Sequence, residues 1–165
     1  MQTPEPEYEL PPITTTGANT FGCYVNGRLW LPGRNKRVYS ISITSDYDNG
    51  YLSVAARRKD FEIEENDPLA IFSSLGFHIQ QGAHLSNEHL LGSRKSKSYG
   101  LFADYSDIHC TNYETDSIAS SGKIEILRLD SSKAIVSGTF ELTLIADGCD
   151  TVEITDGRFD IQYKY

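Results

Sequence analysis

Asp104, Asp107, His109 and Cys110 fall within seven residues of one another. In an extended chain, side chains two apart share a face, so Asp107 and His109 would point the same way. A carboxylate beside an imidazole can do acid–base work, and the same group is a donor set for a metal. Read for chemistry, the segment is the carboxylate centre of a hydrolase. Read plainly, it is a set of polar surface residues beside a structural cysteine, and the plain reading is preferred. Asp46-Tyr47-Asp48-Asn49-Gly50 is a second candidate, with Asp46 and Asp48 as ligands for calcium. It misses the usual loop spacing by one residue and lacks the downstream Glu. A hairpin turn explains the same residues. His84 and His89, five apart, share neither a helical nor a strand face. Asp156, Arg158 and Asp160 read as an ordinary surface ion pair beside a turn. The sequence shows no glycine-rich phosphate loop, nucleophile elbow or triad pattern. No catalytic residue and no cofactor are therefore expected.

Aromatic residues are the other route to function, because they stack on sugars and anchor protein contacts. Trp30 is the only tryptophan and is flanked by leucines. Core anchoring is the expected role. Were it exposed, Trp30, with Tyr47, would be a stacking platform for a ligand.

The three cysteines, Cys23, Cys110 and Cys149, show no zinc-ribbon or redox spacing. In a reducing compartment all three would be buried thiols. In an oxidising one the natural count is one bridge and one free thiol. Cys110 with Cys149, both in the later half, is the pair expected there.

The chain has 165 residues, 39% hydrophobic and 23% charged, which fits one globular domain. Its net charge of −8 argues against general nucleic-acid binding, which needs cations facing phosphates. The short clusters Arg57-Arg58-Lys59 and Arg94-Lys95-Ser96-Lys97 read as solvated loop or strand edge.

The elements that must position these residues are strands. Short alternating runs separated by Gly, Asn and Asp are the pattern of an all-β protein. Asn26-Gly27 predicts a two-residue hairpin pairing Val25 with Arg28, Tyr24 with Leu29, and Cys23 with Trp30. Further strands are expected at 37–44, 51–58, around 61–63, near 76–81, and at 99–105, 122–129 and 134–146. Asp67-Pro68 and Gly76 bracket a possible helical turn or two over 68–75, with a strand at 69–73 as the alternative. Gly138, on the apolar face of its run, signals a bulge or close approach of another element. Asp156-Gly157 predicts a second hairpin, which would pair Ile154 with Phe159 and Val152 with Ile161. The expected fold is an antiparallel sandwich or partly open barrel of about 8–10 strands with at most one short helix.

Four of the six prolines lie in the first twelve residues. That composition predicts an extended spacer over 1–16 ahead of a single β-domain over 17–165. The opening has neither a basic nor an apolar signal-peptide region, so no signal peptide is expected in this chain.

The stretch "GANTFGCYVNGRLWLP", the Ser137-Gly138-Thr139-Phe140 element and the ending Ile154-Thr155-Asp156-Gly157-Arg158-Phe159-Asp160 together resemble a family of uncharacterised cell-envelope proteins from Bacteroides-type bacteria. The resemblance covers the domain from about Gly17 onward, with the middle, 65–120, unaligned. It implies location rather than chemistry. Such proteins are lipoproteins of the outer membrane or periplasm, held through a lipidated cysteine, and an oxidising envelope would permit a disulfide. The only membrane contact implied is through an N-terminal lipid that this chain lacks. The Pro-rich start would be the tether. The resulting expectation is a non-enzymatic, tethered β-domain that binds an envelope protein or a glycan. A carboxylate-dependent hydrolase and a purely structural envelope component are the alternatives.

Overall fold

A computed structural model describes residues 9–32, 41–46, 51–60, 71–80, 88–91, 99–104, 110, 112–114 and 121–163. These residues are all-β and antiparallel, with no helix among them. The strands are β1 (Thr20–Val25), β2 (Arg28–Trp30), β3 (Ile41–Asp46), β4 (Tyr51–Asp60), β5 (Ile71–Gln80), β6 (Glu88–Leu91), β7 (Tyr99–Asp104), β8 (Asn112–Glu114), β9 (Ser121–Asp130), β10 (Ile135–Leu144) and β11 (Val152–Gln162). One six-stranded sheet runs β2-β1-β11-β10-β9-β6, and a five-stranded sheet runs β3-β4-β5-β7-β8. Both sheets are open. Val54 and Ala56 of β4 belong to the same buried cluster as Phe21, Phe140 and Phe159, so the two sheets share one core.

The first hairpin forms because Asn26 and Gly27 both adopt positive φ, 48° and 77°, as a two-residue turn requires. Its register pairs Val25 with Arg28, Tyr24 with Leu29 and Cys23 with Trp30. Phe21, Cys23 and Trp30 then share the inward face, each nearly inaccessible. The Trp30 ring meets Phe21 edge-on at 5.9 Å, and Phe21 lies 5.3 Å from Phe140. A tryptophan so enclosed offers no platform to a ligand, which corrects its candidacy as a binding residue.

The structure decides one alternative that the sequence leaves open, in favour of a strand, and departs from the sequence pattern at one other place. The segment bracketed by Pro68 and Gly76 contains no helical turn where it is described. From Ile71 it is strand β5, paired over its length with β4 and also with β7. Asp156-Gly157 is not a hairpin either. The chain runs straight on as β11, paired with β10 from Val152 to Gln162. One extra residue is absorbed there, since Phe140 faces Gly157 while Leu142 faces Ile154. Asp156 takes φ +52°, the left-handed conformation that Asp tolerates better than most residues. The bulge shifts the inward positions from Val152 and Ile154 to Gly157, Phe159 and Ile161.

Gly157 fits this place because a side chain there would overlap the Phe140 ring, and one at Gly138 would overlap the Glu125 carbonyl. Gly157→Ala is therefore expected to destabilise by about 1–3 kcal/mol through overpacking. Chemical denaturation checks this, and a loss under about 0.5 kcal/mol would show that the ring can move aside.

Candidate functional site

Of the residues singled out for chemistry, the structure describes the strand positions of Asp46, His89 and Asp104, the cysteine Cys110 and the run from Asp156 to Asp160. Asp46 ends β3 opposite Tyr51, and Asp104 ends β7 opposite Ser73. Tyr47, Asp48, Asp107 and His109 lie outside the described residues, as do His84 and the expected strand at 61–63. His89 sits on β6 opposite Ile124. Cys110 is joined to Cys149 in a disulfide that links the β7–β8 connection to the β10–β11 connection. Its sulfur is thereby committed, and it serves neither as thiolate nucleophile nor as metal ligand. Cys23 is a free buried thiol, pushed up to about 12 by burial, and so stays protonated and inert. No group of three metal-ligating side chains is found among the described residues.

The unexpected residue is Asp160. Its place beside a turn with Arg158 predicts a surface pair, yet it is only 1% exposed. It lies on the outer face of the six-stranded sheet, beneath residues 14–18. Its Oδ2 accepts from the Thr14 hydroxyl at 2.6 Å, the Thr16 N–H at 2.9 Å and the Ala18 N–H at 3.2 Å. Its Oδ1 accepts from the Gly17 N–H at 2.8 Å. Gly17 at φ +78° lets successive N–H groups converge, making a concave backbone nest for an anion. Burial raises the Asp160 pKa, but the Thr14 hydroxyl and these three N–H donors outweigh it, so the carboxyl titrates below the usual range.

Other side chains hold the same strap. Arg128 donates to the Thr15 carbonyl at 2.7 Å and to Asp130 at 2.7 Å. Asp130 also accepts from the Ser132 hydroxyl and the Lys133 N–H. The Ser132 hydroxyl first, and then Arg128 and Lys133, hold its carboxyl well below the ordinary value. Arg158 reaches the Pro11 carbonyl at 3.3 Å. Gly22 leaves room for the strap, since a side chain there would strike Pro11 and Leu31. Residues 11–16, which the proline count places in the spacer, are thus packed on the domain.

Below the strap, the outer face of β9, β10 and β11 is open to solvent. A depression of about 490 Å³ lies among Ser121, Lys123, Glu141, Thr143, Glu153 and Thr155, floored by the strand backbone at Leu142 and Ile154, whose side chains face the core. A second of about 220 Å³ lies between it and the strap, bounded by Glu125, Thr139, Asp156, Arg158 and the strap residue Ile13. Lys123 and Glu141 border both. This face combines hydroxyl, ammonium, guanidinium and carboxylate groups on rigid strands, which suits reversible recognition of a polar ligand. Sequence alternation places these side chains on the outer face, but nothing local marks which part of it the strap leaves uncovered.

Comparison with known proteins finds no matching family model, no matching curated protein and no matching solved structure.

Proposed function

We propose that this chain is a non-enzymatic, tethered β-domain of the bacterial cell envelope that binds a glycan or a partner protein through the outer face of β9, β10 and β11. The observation that carries the reading is the pair of adjoining polar depressions, about 490 and 220 Å³, on an otherwise rigid sheet. Recognition sites are concave and need only a few well-placed polar groups. The envelope location rests on the sequence resemblance, and a disulfide suits an oxidising compartment. The tether, in this reading, comprises the residues upstream of the docked strap.

Thermal unfolding against a panel of envelope glycans and purified envelope proteins tests the proposal. A ligand at a hundred times its dissociation constant stabilises by about 2.7 kcal/mol. For a domain of this size the midpoint is expected to rise by roughly 5–10 °C with one member of the panel. No shift with any member would favour a purely structural envelope component.

A further inference from the structure

The two depressions share Lys123 and Glu141, so they form one continuous surface. From Ser121 at one end to Glu125 at the other is four strand steps, about 13 Å. Ile13 closes the strap end and is 53% exposed. Its position is fixed from both sides, because Arg158 holds the Pro11 carbonyl and Asp160 holds the Thr14 hydroxyl.

The chemistry of this surface selects among ligands. Four carboxylates, Glu125, Glu141, Glu153 and Asp156, face two cations, Lys123 and Arg158. On a chain of net charge −8, that balance disfavours anionic glycans and nucleic acids. A protein partner needs an apolar centre to its interface. Among the described residues, the large apolar side chains that are exposed are only Ile13 and Leu127. What the groove does offer is hydroxyls, carboxylates and cationic donors on neighbouring strands, about 5 Å apart across the ladder. Such a lattice satisfies a ligand that carries a hydroxyl on nearly every carbon. Ile13 can lie against the apolar face of a sugar ring. Tyr24, half-buried on β1 opposite Thr155, puts an aromatic residue beside the groove.

We infer that the two depressions are one carbohydrate-binding groove for a short neutral oligosaccharide, with Ile13 of the docked N-terminal strap as its end wall. This rests on the binding-module reading above and names its ligand class.

The test is an amide chemical-shift titration of the full chain with neutral gluco-, manno-, galacto- and xylo-oligosaccharides, and with oligogalacturonate as the acidic counterpart. One neutral class is expected to shift amides of residues 121–125, 139–143 and 153–158. Glu141→Ala is expected to weaken that binding at least tenfold, and Ile13→Ala several-fold. Asp147→Asn, in the β10–β11 connection, should leave it unchanged. Neutral-sugar binding that maps elsewhere would overturn the groove while leaving the binding-module reading standing. Preference for oligogalacturonate would overturn the ligand class. If no sugar binds but a purified envelope protein raises the melting point, the carbohydrate inference fails and the module survives. If nothing binds, both fail.

Discussion

Opening the Cys110–Cys149 disulfide is expected to lower the unfolding free energy by about 4 kcal/mol. The bond closes a loop with a sequence separation of 39. Reduction returns that conformational freedom to the unfolded chain, and a loop of this length sets the magnitude. Both cysteines also pack against the core, so paired serine substitution removes some apolar contact in addition. In the fold the bond ties the five-stranded sheet to the six-stranded one, in addition to the shared core to which Val54 and Ala56 belong. The measurement is urea unfolding with and without reductant, repeated on the Cys110→Ser, Cys149→Ser double variant. A lower midpoint is expected, with a steeper denaturant dependence because the open unfolded chain exposes more surface. The melting point should fall by roughly 10 °C. Thiol counting gives an independent check. Cys23 is buried and its thiol is held protonated, so the native oxidised protein should show no reactive thiol and the denatured protein one. Three thiols in denaturant, from protein made under oxidising conditions, would refute the bond. A stability loss under about 1 kcal/mol would mean that the unfolded chain is already restricted around this loop.

Much of the fold is legible in the sequence where the signal is local. Asn26-Gly27 sets not only a turn but a register, because a two-residue loop leaves the flanking residues no choice of partner. The two ambiguous places share one cause: a local signal compatible with two structures, decided by a strand far away. Asp67-Pro68 and Gly76 look like helix punctuation, but Ile71, Leu75, Phe77 and Ile79 repeat at period two. Pairing by β4 and β7 on both sides outweighs a cap worth about 1 kcal/mol. At Asp156-Gly157 the apolar residues change phase, from Val152 and Ile154 to Phe159 and Ile161. A hairpin and a one-residue bulge both produce that change. The bulge prevails because β10 runs unbroken alongside, presenting Val136, Phe140, Leu142 and Leu144 to the core along its whole length. The strands β6 and β8, of four and three residues, are too short to show a period. The candidate site was less legible than the fold. Its side chains are ordinary polar residues on the outward phase of β9, β10 and β11. What bounds the groove at one end is the strap, docked by contacts spanning more than 140 positions of sequence.

Asp160 is the residue on which that docking depends, and its loss should be costly. Asp160→Asn is expected to destabilise by about 1.5–3 kcal/mol, the range for hydrogen bonds that lose a charged acceptor. The Thr14 hydroxyl and the N–H groups of Thr16, Gly17 and Ala18 all donate to this one carboxylate. An amide with its oxygen in the Oδ2 place keeps three of these contacts in weaker, uncharged form, but it turns an NH2 toward the Gly17 N–H, which is left facing a donor. The pH dependence has a definite sign. The folded-state pKa is lowered, below the ordinary unfolded value of about 3.9, so the contribution is complete at neutral pH. It should fade only as the pH falls below about 4 and through the folded value. The latch therefore stays closed at neutral and mildly acidic pH. Urea unfolding at pH 7 and pH 3 checks both statements: the gap between native chain and variant should be wide at pH 7 and narrower at pH 3. A double-mutant cycle with Thr14→Ala isolates the contact. Alone, Thr14→Ala should cost about 1.5–3 kcal/mol, the range for a hydrogen bond to a charged group, and in the Asp160→Asn background much less. Amides 16–18 should lose exchange protection in the variant, while Trp30, packed on Phe21 on the opposite face of the sheet, keeps its native fluorescence. Loss of both signals together would mean that the strap and the core unfold as one unit. A stability loss below about 1 kcal/mol would mean that the strap is held by Arg128 and Arg158 without the carboxylate.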